Sequence, residues 1–170
     1  GVGQPEDVVE AIARGIDTLD CVVPTRWARH GAALSMAGRI NLRNAAYADD
    51  TRPLDDQCAC YACRTFSRGA IRHLVMADEI LGLSLLTVHN LSFVVGLARR
   101  ARQAIVEGSF AVWRAEFLAD YDGGRHAATA PGEPAERDAV DGDAGPGLGS
   151  GAGVPAGSAA ARVGIERVEP

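Results

Sequence analysis

Three cysteines within six residues and one distant histidine are the strongest chemical feature of this sequence. They follow the spacing C-x-C-x2-C-x25-H and are Cys58, Cys60, Cys63 and His89. Thiolate sulphur and imidazole nitrogen are ligands of Zn²⁺, and a closed set of four is typical of a structural site. The alternative is three unrelated buried or oxidisable thiols, which the crowding of three of the chain's four cysteines disfavours. The pattern therefore predicts one structural Zn²⁺, with the histidine fastening a separate element to the cysteine loop.

A carboxylate near the end of an apolar segment is the second candidate. The run from Ile16 to Val23 has β-type character and stops at Pro24, which is typical of a buried parallel strand. Asp20 lies at the carboxyl end of this predicted strand, where catalytic groups collect in α/β barrels. A carboxylate there can attack a sugar C1′ as a nucleophile. It can also be a strand-end group held by backbone N–H groups, and the residues alone leave both interpretations open.

Positive charge is concentrated just after that candidate. The formal net charge is −5 for 170 residues, yet residues 21–48 contain four arginines and no acid. They include Arg26 and Arg29, beside the predicted strand end. Such a stretch can contact phosphates even when the whole protein is acidic. The alternative for Arg26 and Arg29 is a solvated arginine pair.

The elements that position these residues can be outlined from periodicity. A short helix is predicted from Pro5 to Gly15, and helix followed by buried strand is the repeating unit of α/β folds. Leu34–Met36 and Arg39–Leu42 give a weak hairpin signal. Three amphipathic helices follow; the ranges expected for them are 67–81, 84–107 (after a break at Gly82) and about 110–118.

Composition sets further expectations. The last fifty residues contain eleven Gly and five Pro and almost no large apolar side chains, so we expect 121–170 to be disordered. No uninterrupted apolar run reaches about 18 residues, so no membrane span is expected. The chain starts without Met and without a secretory signal, which suggests that an N-terminal part is missing. Thiols arranged for a metal fit a reducing cytoplasm.

The sequence resembles the C-terminal third of bacterial tRNA-guanine transglycosylase over about residues 1–120. Two independent motifs, the segment around Asp20 and the zinc ligands, occur at the family's usual separation. The matching segments are Gly1-Val2-Gly3-x-Pro5-Glu6-Asp7, Gly15-Ile16-Asp17-x-Leu19-Asp20-Cys21-Val22-x-Pro24-Thr25-Arg26-x-Ala28-Arg29-x-Gly31, Asn41-x-Arg43-Asn44-Ala45, Asp50-Thr51-x-Pro53-Leu54-Asp55, Glu79-Ile80-Leu81-Gly82 and His89-Asn90.

The resemblance implies an α/β fold, the C-terminal part of a (β/α)8 TIM barrel with an inserted zinc-binding subdomain. Residues 1–48 would supply the last barrel units, with the nucleophile strand and the anticodon-loop-binding segment. Residues 49–120 would form the zinc subdomain and C-terminal helices, and 121–170 a tail that matches nothing in the family. The resemblance also implies a homodimer formed around the region that the zinc holds together.

The implied activity is base exchange on tRNA, catalysed by a pentosyltransferase. The family removes guanine at the wobble position of tRNAs with a GUN anticodon and inserts the 7-deazaguanine preQ1. Asp20 takes the nucleophile's place, Arg26 and Arg29 fall where the family contacts the anticodon loop, and Gly1 and Gly3 fall at the edge of its base pocket. The family's acid/base aspartate lies in the N-terminal two thirds, so we do not expect this chain alone to be active.

There are two alternatives to the transglycosylase function. A non-catalytic accessory subunit or zinc-containing RNA-binding module is disfavoured, because Asp20 is kept together with both loop arginines. An archaeal-type relative is disfavoured by the segment from Pro24 to Gly31, which resembles the bacterial form. Trp27 is unusual in that segment and has two interpretations, stacking on an unpaired base or packing within its loop.

Overall fold

The computed structural model describes residues 1–127, with side chains described for 1–121. The elements in chain order are α1 (Pro5–Ala13), α2 (Val23–Arg29), β1 (Ala32–Ser35), β2 (Gly38–Asn41), a 3-10 turn (Ala45–Tyr47), α3 (Tyr61–Thr65), α4 (Arg68–Met76), α5 (Ile80–Val106) and α6 (Phe110–Ala127). Helix α6 continues beyond residue 121, where the predicted tail begins. The rest of that predicted tail, from 128 onward, lies outside the described residues.

Helix α1 is confirmed with the ends that the sequence predicts. Pro5 lies in the first turn, with Glu6 and Asp7 beside it at the positive end of the helix dipole. The chain leaves the helix at Gly15, whose φ of 84° places it in the left-handed region.

The predicted strand from Ile16 to Val23 is wrong for this structure. Residues 16–22 have no regular secondary structure, and α2 begins at Val23 with Pro24 in its first turn. Ile16 and Val22 are 44% and 54% exposed. A parallel strand exists only through hydrogen bonds to neighbouring strands, and the one sheet in residues 1–127 is a two-stranded hairpin elsewhere. Asp20 therefore lies in an irregular connection that leads into α2.

The predicted hairpin is confirmed. Strands β1 and β2 are antiparallel, with Ala33 opposite Ile40 and Ser35 opposite Gly38. The turn is closed by the Ser35 hydroxyl, which donates to the Gly38 carbonyl at 2.8 Å. Gly38 has a φ of 99°, which a side chain at this position would strain.

The break between α4 and α5 occurs earlier than the sequence predicts. It lies at residues 77–79, where Asp78 takes a left-handed φ of 55°, and Gly82 is inside α5. A Cβ on Gly82 would lie 2.9 Å from the Leu74 Cβ and 3.0 Å from the Val75 nitrogen. Gly82 is thus needed for the close approach of the two helices, and it does not separate them.

Helix α5 is the central element and contacts α1, α2, α3, α4, α6 and β1. It contributes to two groups of buried side chains. The hairpin cluster consists of Ala28, Ala33, Ile40, Leu42, Leu54, Ala62, Ile71, Val75, Leu85 and Leu86. The aromatic cluster consists of Val8, Val9, Leu34, Phe93, Leu97, Phe117 and Tyr121. Both clusters draw residues from either side of the predicted boundary at residue 48, and that division stays a prediction.

By length and composition alone, α5 is apolar enough to cross a membrane, although polar residues interrupt its apolar runs. It carries buried His89 and Asn90 in its middle and packs against six other elements, which is the behaviour of a core helix. One stripe of α5 remains exposed. It consists of Leu81, Val88, Leu91 and Val95.

Candidate functional site

The structure brings the four predicted metal ligands together. The ligand atoms of Cys58, Cys60, Cys63 and His89 all lie within 4.8 Å of one another. The His89 Nδ1 is 3.6 Å from the Cys60 Sγ and 3.2 Å from the Cys63 Sγ. A tetrahedral zinc site requires about 3.5 Å between such sulphur and nitrogen atoms. The cluster therefore fits a structural Zn²⁺ site with four protein ligands.

The orientation of His89 suits metal binding. Its Nε2 lies 2.6 Å from the Leu34 carbonyl oxygen. Because a carbonyl can only accept, Nε2 carries the proton and the Nδ1 lone pair faces the thiols. Burial lowers the pKa of His89, so the neutral ligand form is favoured.

A cation between the three sulphur atoms would stabilise their thiolate forms. Burial raises the pKa of the Cys63 thiol, and neighbouring Cys58 and Cys60 raise it further. Burial likewise raises the pKa of the Cys58 thiol. Three crowded thiolates repel one another unless positive charge lies between them, and Zn²⁺ supplies that charge.

Asp55 fixes the start of the cysteine loop. Its carboxylate accepts hydrogen bonds from the Met36 and Gln57 backbone nitrogens, each at 2.8 Å, and its carbonyl accepts from the Cys58 nitrogen at 3.1 Å. These bonds tie the loop to the turn of the hairpin. Asp55 is 5% exposed, and the sequence analysis gave it no role. An Asp directly before a turn is a signal of such an Asx bond, although its long-range partner cannot be inferred from the sequence.

The segment before the cysteine loop is anchored on α4. Asp50 accepts hydrogen bonds from the Arg52 side chain at 3.0 and 2.7 Å and forms an ion pair with Arg68 at 3.3 Å. The Arg52 side chain holds the pKa of the Asp50 carboxyl well below its usual range. Arg68 also donates to the Leu54 carbonyl at 3.1 Å, which fixes the chain next to Asp55.

Asn90 is a second positioning residue that the sequence analysis missed. Its Oδ1 accepts from the Leu34 nitrogen at 2.8 Å, and its Nδ2 donates to the Pro24 and Ala32 carbonyls at 2.9 and 3.0 Å. The side chain is fully buried. It therefore holds the start of α2 and strand β1 against α5, and only its place beside His89 could have drawn attention to it.

The N-terminal glycines lie against the Asp20 segment. A Cβ on Gly1 would be 3.8 Å from the Asp20 carbonyl oxygen. A Cβ on Gly3 would lie 1.5 Å from the Cys21 Sγ, so no side chain fits there. The structure thus brings Gly1 close to Asp20 and Gly3 against Cys21, and the roles of both glycines stay predictions.

The Asp20 side chain is exposed, and no backbone N–H group or cation in residues 1–121 contacts it. The strand-end carboxylate held by backbone groups is therefore not observed in this part of the chain. Asp20 lies three residues before α2, which carries both arginines.

Arg26 and Arg29 lie in the last turn of α2 on neighbouring positions of one face. Both are exposed, and neither has a hydrogen-bond or ion-pair partner among the described side chains. Trp27 packs at the edge of the aromatic cluster, and the Arg39 guanidinium lies 5.2 Å from its ring centroid. This contact favours the packed interpretation of Trp27 over base stacking.

Comparison with known proteins agrees with this geometry. The family model for queuine tRNA-ribosyltransferase matches residues 1–123, which include every candidate site residue. The chain belongs to the queuine tRNA-ribosyltransferase family. A queuine tRNA-ribosyltransferase of Moorella thermoacetica is 50% identical over 125 residues, 74% of this chain and 34% of the relative. That of Desulforudis audaxviator is 53% identical over 119 residues, 70% of this chain and 32% of the relative.

The chain spans about a third of the length of the curated queuine tRNA-ribosyltransferases that it matches. The family match ends within α6, close to the end of the described side chains. The Cys3His cluster lies inside the matched range, and it fits the structural zinc site typical of this family.

Proposed function

We propose that this chain supplies the nucleophile, the RNA-contact helix and the zinc site of a tRNA-guanine transglycosylase. The complete enzyme exchanges wobble guanine for preQ1 in tRNAs with a GUN anticodon. The proposal rests on one observation: Asp20, exposed and without a described partner, lies three residues before a helix with two such arginines. The chain is a family member that keeps the metal cluster.

The chemistry assigned to Asp20 is covalent exchange. A carboxylate oxygen attacks C1′ of the wobble ribose, and the bond from C1′ to the guanine nitrogen breaks. The departing base takes a proton from an acid that another part of the complete enzyme supplies. The glycosidic nitrogen of preQ1 then gives its proton to the conjugate base of that acid and attacks C1′, and the bond from C1′ to the carboxylate breaks. An exposed carboxylate without a fixed partner suits this role, because it is open to substrate.

The zinc supplies folding energy in this proposal and takes no part in exchange. Four protein ligands close the coordination sphere, so no position is left for substrate. Cys58 and Cys60 lie in the loop, Cys63 in α3 and His89 in α5, so bound Zn²⁺ would hold α5 to the loop that precedes α3.

Three further features of the complete enzyme follow as proposals. Residues 1–48 would join a (β/α)8 barrel, in which the apolar segment from Ile16 to Val23 gains strand neighbours. The exposed stripe of Leu81, Val88, Leu91 and Val95 supports a homodimer, because an apolar helix face of this length favours burial. Four free thiols support a reducing cytoplasmic location.

A zinc-containing RNA-binding module is the second candidate, since the described residues combine a metal cluster with two exposed arginines that have no described partner. The test uses a complete enzyme, made by joining this sequence to the remaining two thirds of the M. thermoacetica relative. It should incorporate labelled guanine and preQ1 into unmodified tRNA with a GUN anticodon. Binding of this tRNA without incorporation of either base would favour the binding module.

A further inference from the structure

A cleft of about 290 Å³ lies beside the metal cluster, where three elements meet. We call it the knuckle cleft. Its walls are the hairpin turn, the cysteine loop and one face of α5. The residues on which its chemistry depends are Met36, Asp55, Gly96, Arg99 and Arg100.

Two arginines line the knuckle cleft. Arg99 and Arg100 are exposed, and no carboxylate in the described part of the chain pairs with either. The acidic residue that lines the cleft is Asp55, and its carboxylate oxygens already accept from the Met36 and Gln57 nitrogens. Two guanidinium groups beside an open cleft of this kind form a site for an anion with several oxygen atoms.

Gly96 leaves the α5 wall of the cleft open. A Cβ at this position would meet only the Arg100 Nη1, at 3.6 Å, within 4 Å. Arg100 is directed along the cleft, with its Nη2 3.9 Å from the Met36 Sδ. A larger side chain at residue 96 would therefore occupy the cleft without displacing backbone.

The hairpin connects this cleft with the arginines of α2. Met36 lies in the turn between β1 and β2, and three residues later Arg39 covers Trp27 of α2. The hairpin thus contacts α2 through Arg39 and borders the cleft through Met36. A long polyanion can reach two separate cationic surfaces, whereas a small anion can contact only one.

We propose that the knuckle cleft binds a backbone phosphate of the RNA substrate, through Arg99 and Arg100, as a contact additional to α2. This inference rests on the proposed function, because it names a second surface for the same RNA. The exposure of both arginines, together with a second cationic surface on α2, favours a phosphodiester within a polymer. Inorganic phosphate has the same chemistry but no reason to bridge the two surfaces.

The test measures binding of unmodified tRNA with a GUN anticodon to the zinc-loaded complete enzyme at several salt concentrations. Arg99→Ala and Arg100→Ala should each weaken binding about threefold and reduce the slope of log affinity against log salt by about one. Arg102→Ala is the matched control, because Arg102 is exposed on the next turn of α5 but does not line the cleft. Gly96→Leu should weaken binding severalfold although it removes no charge.

The outcomes separate this proposal from the proposed function. If wild-type enzyme exchanges guanine while Arg99→Ala, Arg100→Ala and Arg102→Ala have the same salt slope, the phosphate site is overturned and the activity stands. Unchanged binding by Gly96→Leu would equally overturn it. A wild-type enzyme that neither binds tRNA nor exchanges guanine would overturn both. If Arg99→Ala and Arg100→Ala weaken the binding of inorganic phosphate as much as the binding of tRNA, at constant ionic strength, the cleft would be assigned to the free anion instead.

Discussion

The Nε2 atom of His89 lies 2.6 Å from the carbonyl oxygen of Leu34, in strand β1. The other ring nitrogen of His89 faces the cysteine sulphur atoms. One imidazole therefore links the metal cluster to the hairpin, and through the hairpin to α2 and its arginines. For this reason, we expect loss of the metal to change the structure of the predicted RNA-contact surface as well as that of the cysteine loop.

The first prediction concerns the zinc content of the chain and the effect of removing the metal. Purified chain should contain about one zinc, and Cys60→Ser combined with His89→Ala should abolish this content, because two of four ligands are gone. Chelation should lower the melting temperature of the wild type. Cys21→Ser is the control, since Cys21 lies outside the cluster and should leave the zinc content unchanged. Zinc retained by the double variant would contradict the assigned ligand set.

The second prediction concerns the contribution of Asn90 to the free energy of unfolding. Asn90→Ala leaves a buried N–H of Leu34 and the carbonyls of Pro24 and Ala32 without their side-chain partner. The free energy of unfolding should fall by about 3 kcal/mol, measured by urea denaturation of the zinc-loaded chain. Ser84→Ala, which removes one exposed helix hydroxyl, should change it by less than about 0.5 kcal/mol. Equal stability of the two variants would mean that Asn90 does not hold the hairpin.

Local signals explain which parts of the fold the sequence could predict. Helix α1 and the β1–β2 hairpin depend on residues that are neighbours in sequence, such as Pro5 and Gly38, and both were predicted. The metal cluster was predictable because three of its ligands lie within six residues of sequence. The segment at Ile16 was not, because a parallel strand depends on partners far away in sequence. Gly82 was misassigned because its close contact with α4 is invisible in the local pattern.

Gly3 gives a third prediction about how Asp20 is positioned. A Cβ at residue 3 would lie 1.5 Å from the Cys21 Sγ and 2.7 Å from its Cβ, so Gly3→Ala must displace the segment after Asp20. The free energy of unfolding should fall by about 1–3 kcal/mol. Adding Cys21→Gly removes both clashing atoms and should restore part of the loss. Gly1→Ala, whose Cβ would have an ordinary contact at 3.8 Å, is the control for stability.

The fourth prediction concerns the arginines of α2. Arg26→Ala and Arg29→Ala in the complete enzyme should each weaken tRNA binding and reduce its salt dependence, because phosphate contacts release bound cations. The motivating observation is that both side chains are exposed and unpaired among the described residues. Arg14→Ala is the control, since Arg14 pairs with Glu10 on α1. A salt slope equal to that of the wild type in both α2 variants would mean that this helix does not face RNA.

The sharpest prediction is for Asp20, whose carboxylate has no fixed partner in residues 1–121. Asp20→Asn in the complete enzyme should bind tRNA nearly as well as the wild type, because the amide keeps the shape and loses only nucleophilicity. Guanine exchange should fall at least about 10³-fold, since covalent catalysis is lost. The covalent tRNA adduct, trapped while preQ1 is supplied and detected on a denaturing gel, should disappear with it.

Asp49→Asn is the matched control for Asp20, because it makes the same change at another exposed aspartate without a described partner. It should leave exchange and adduct formation intact. We expect no guanine exchange by this chain alone, because the proposed mechanism needs an acid from another part of the complete enzyme. Adduct formation by Asp20→Asn, or exchange by this chain alone, would show that another group performs the attack.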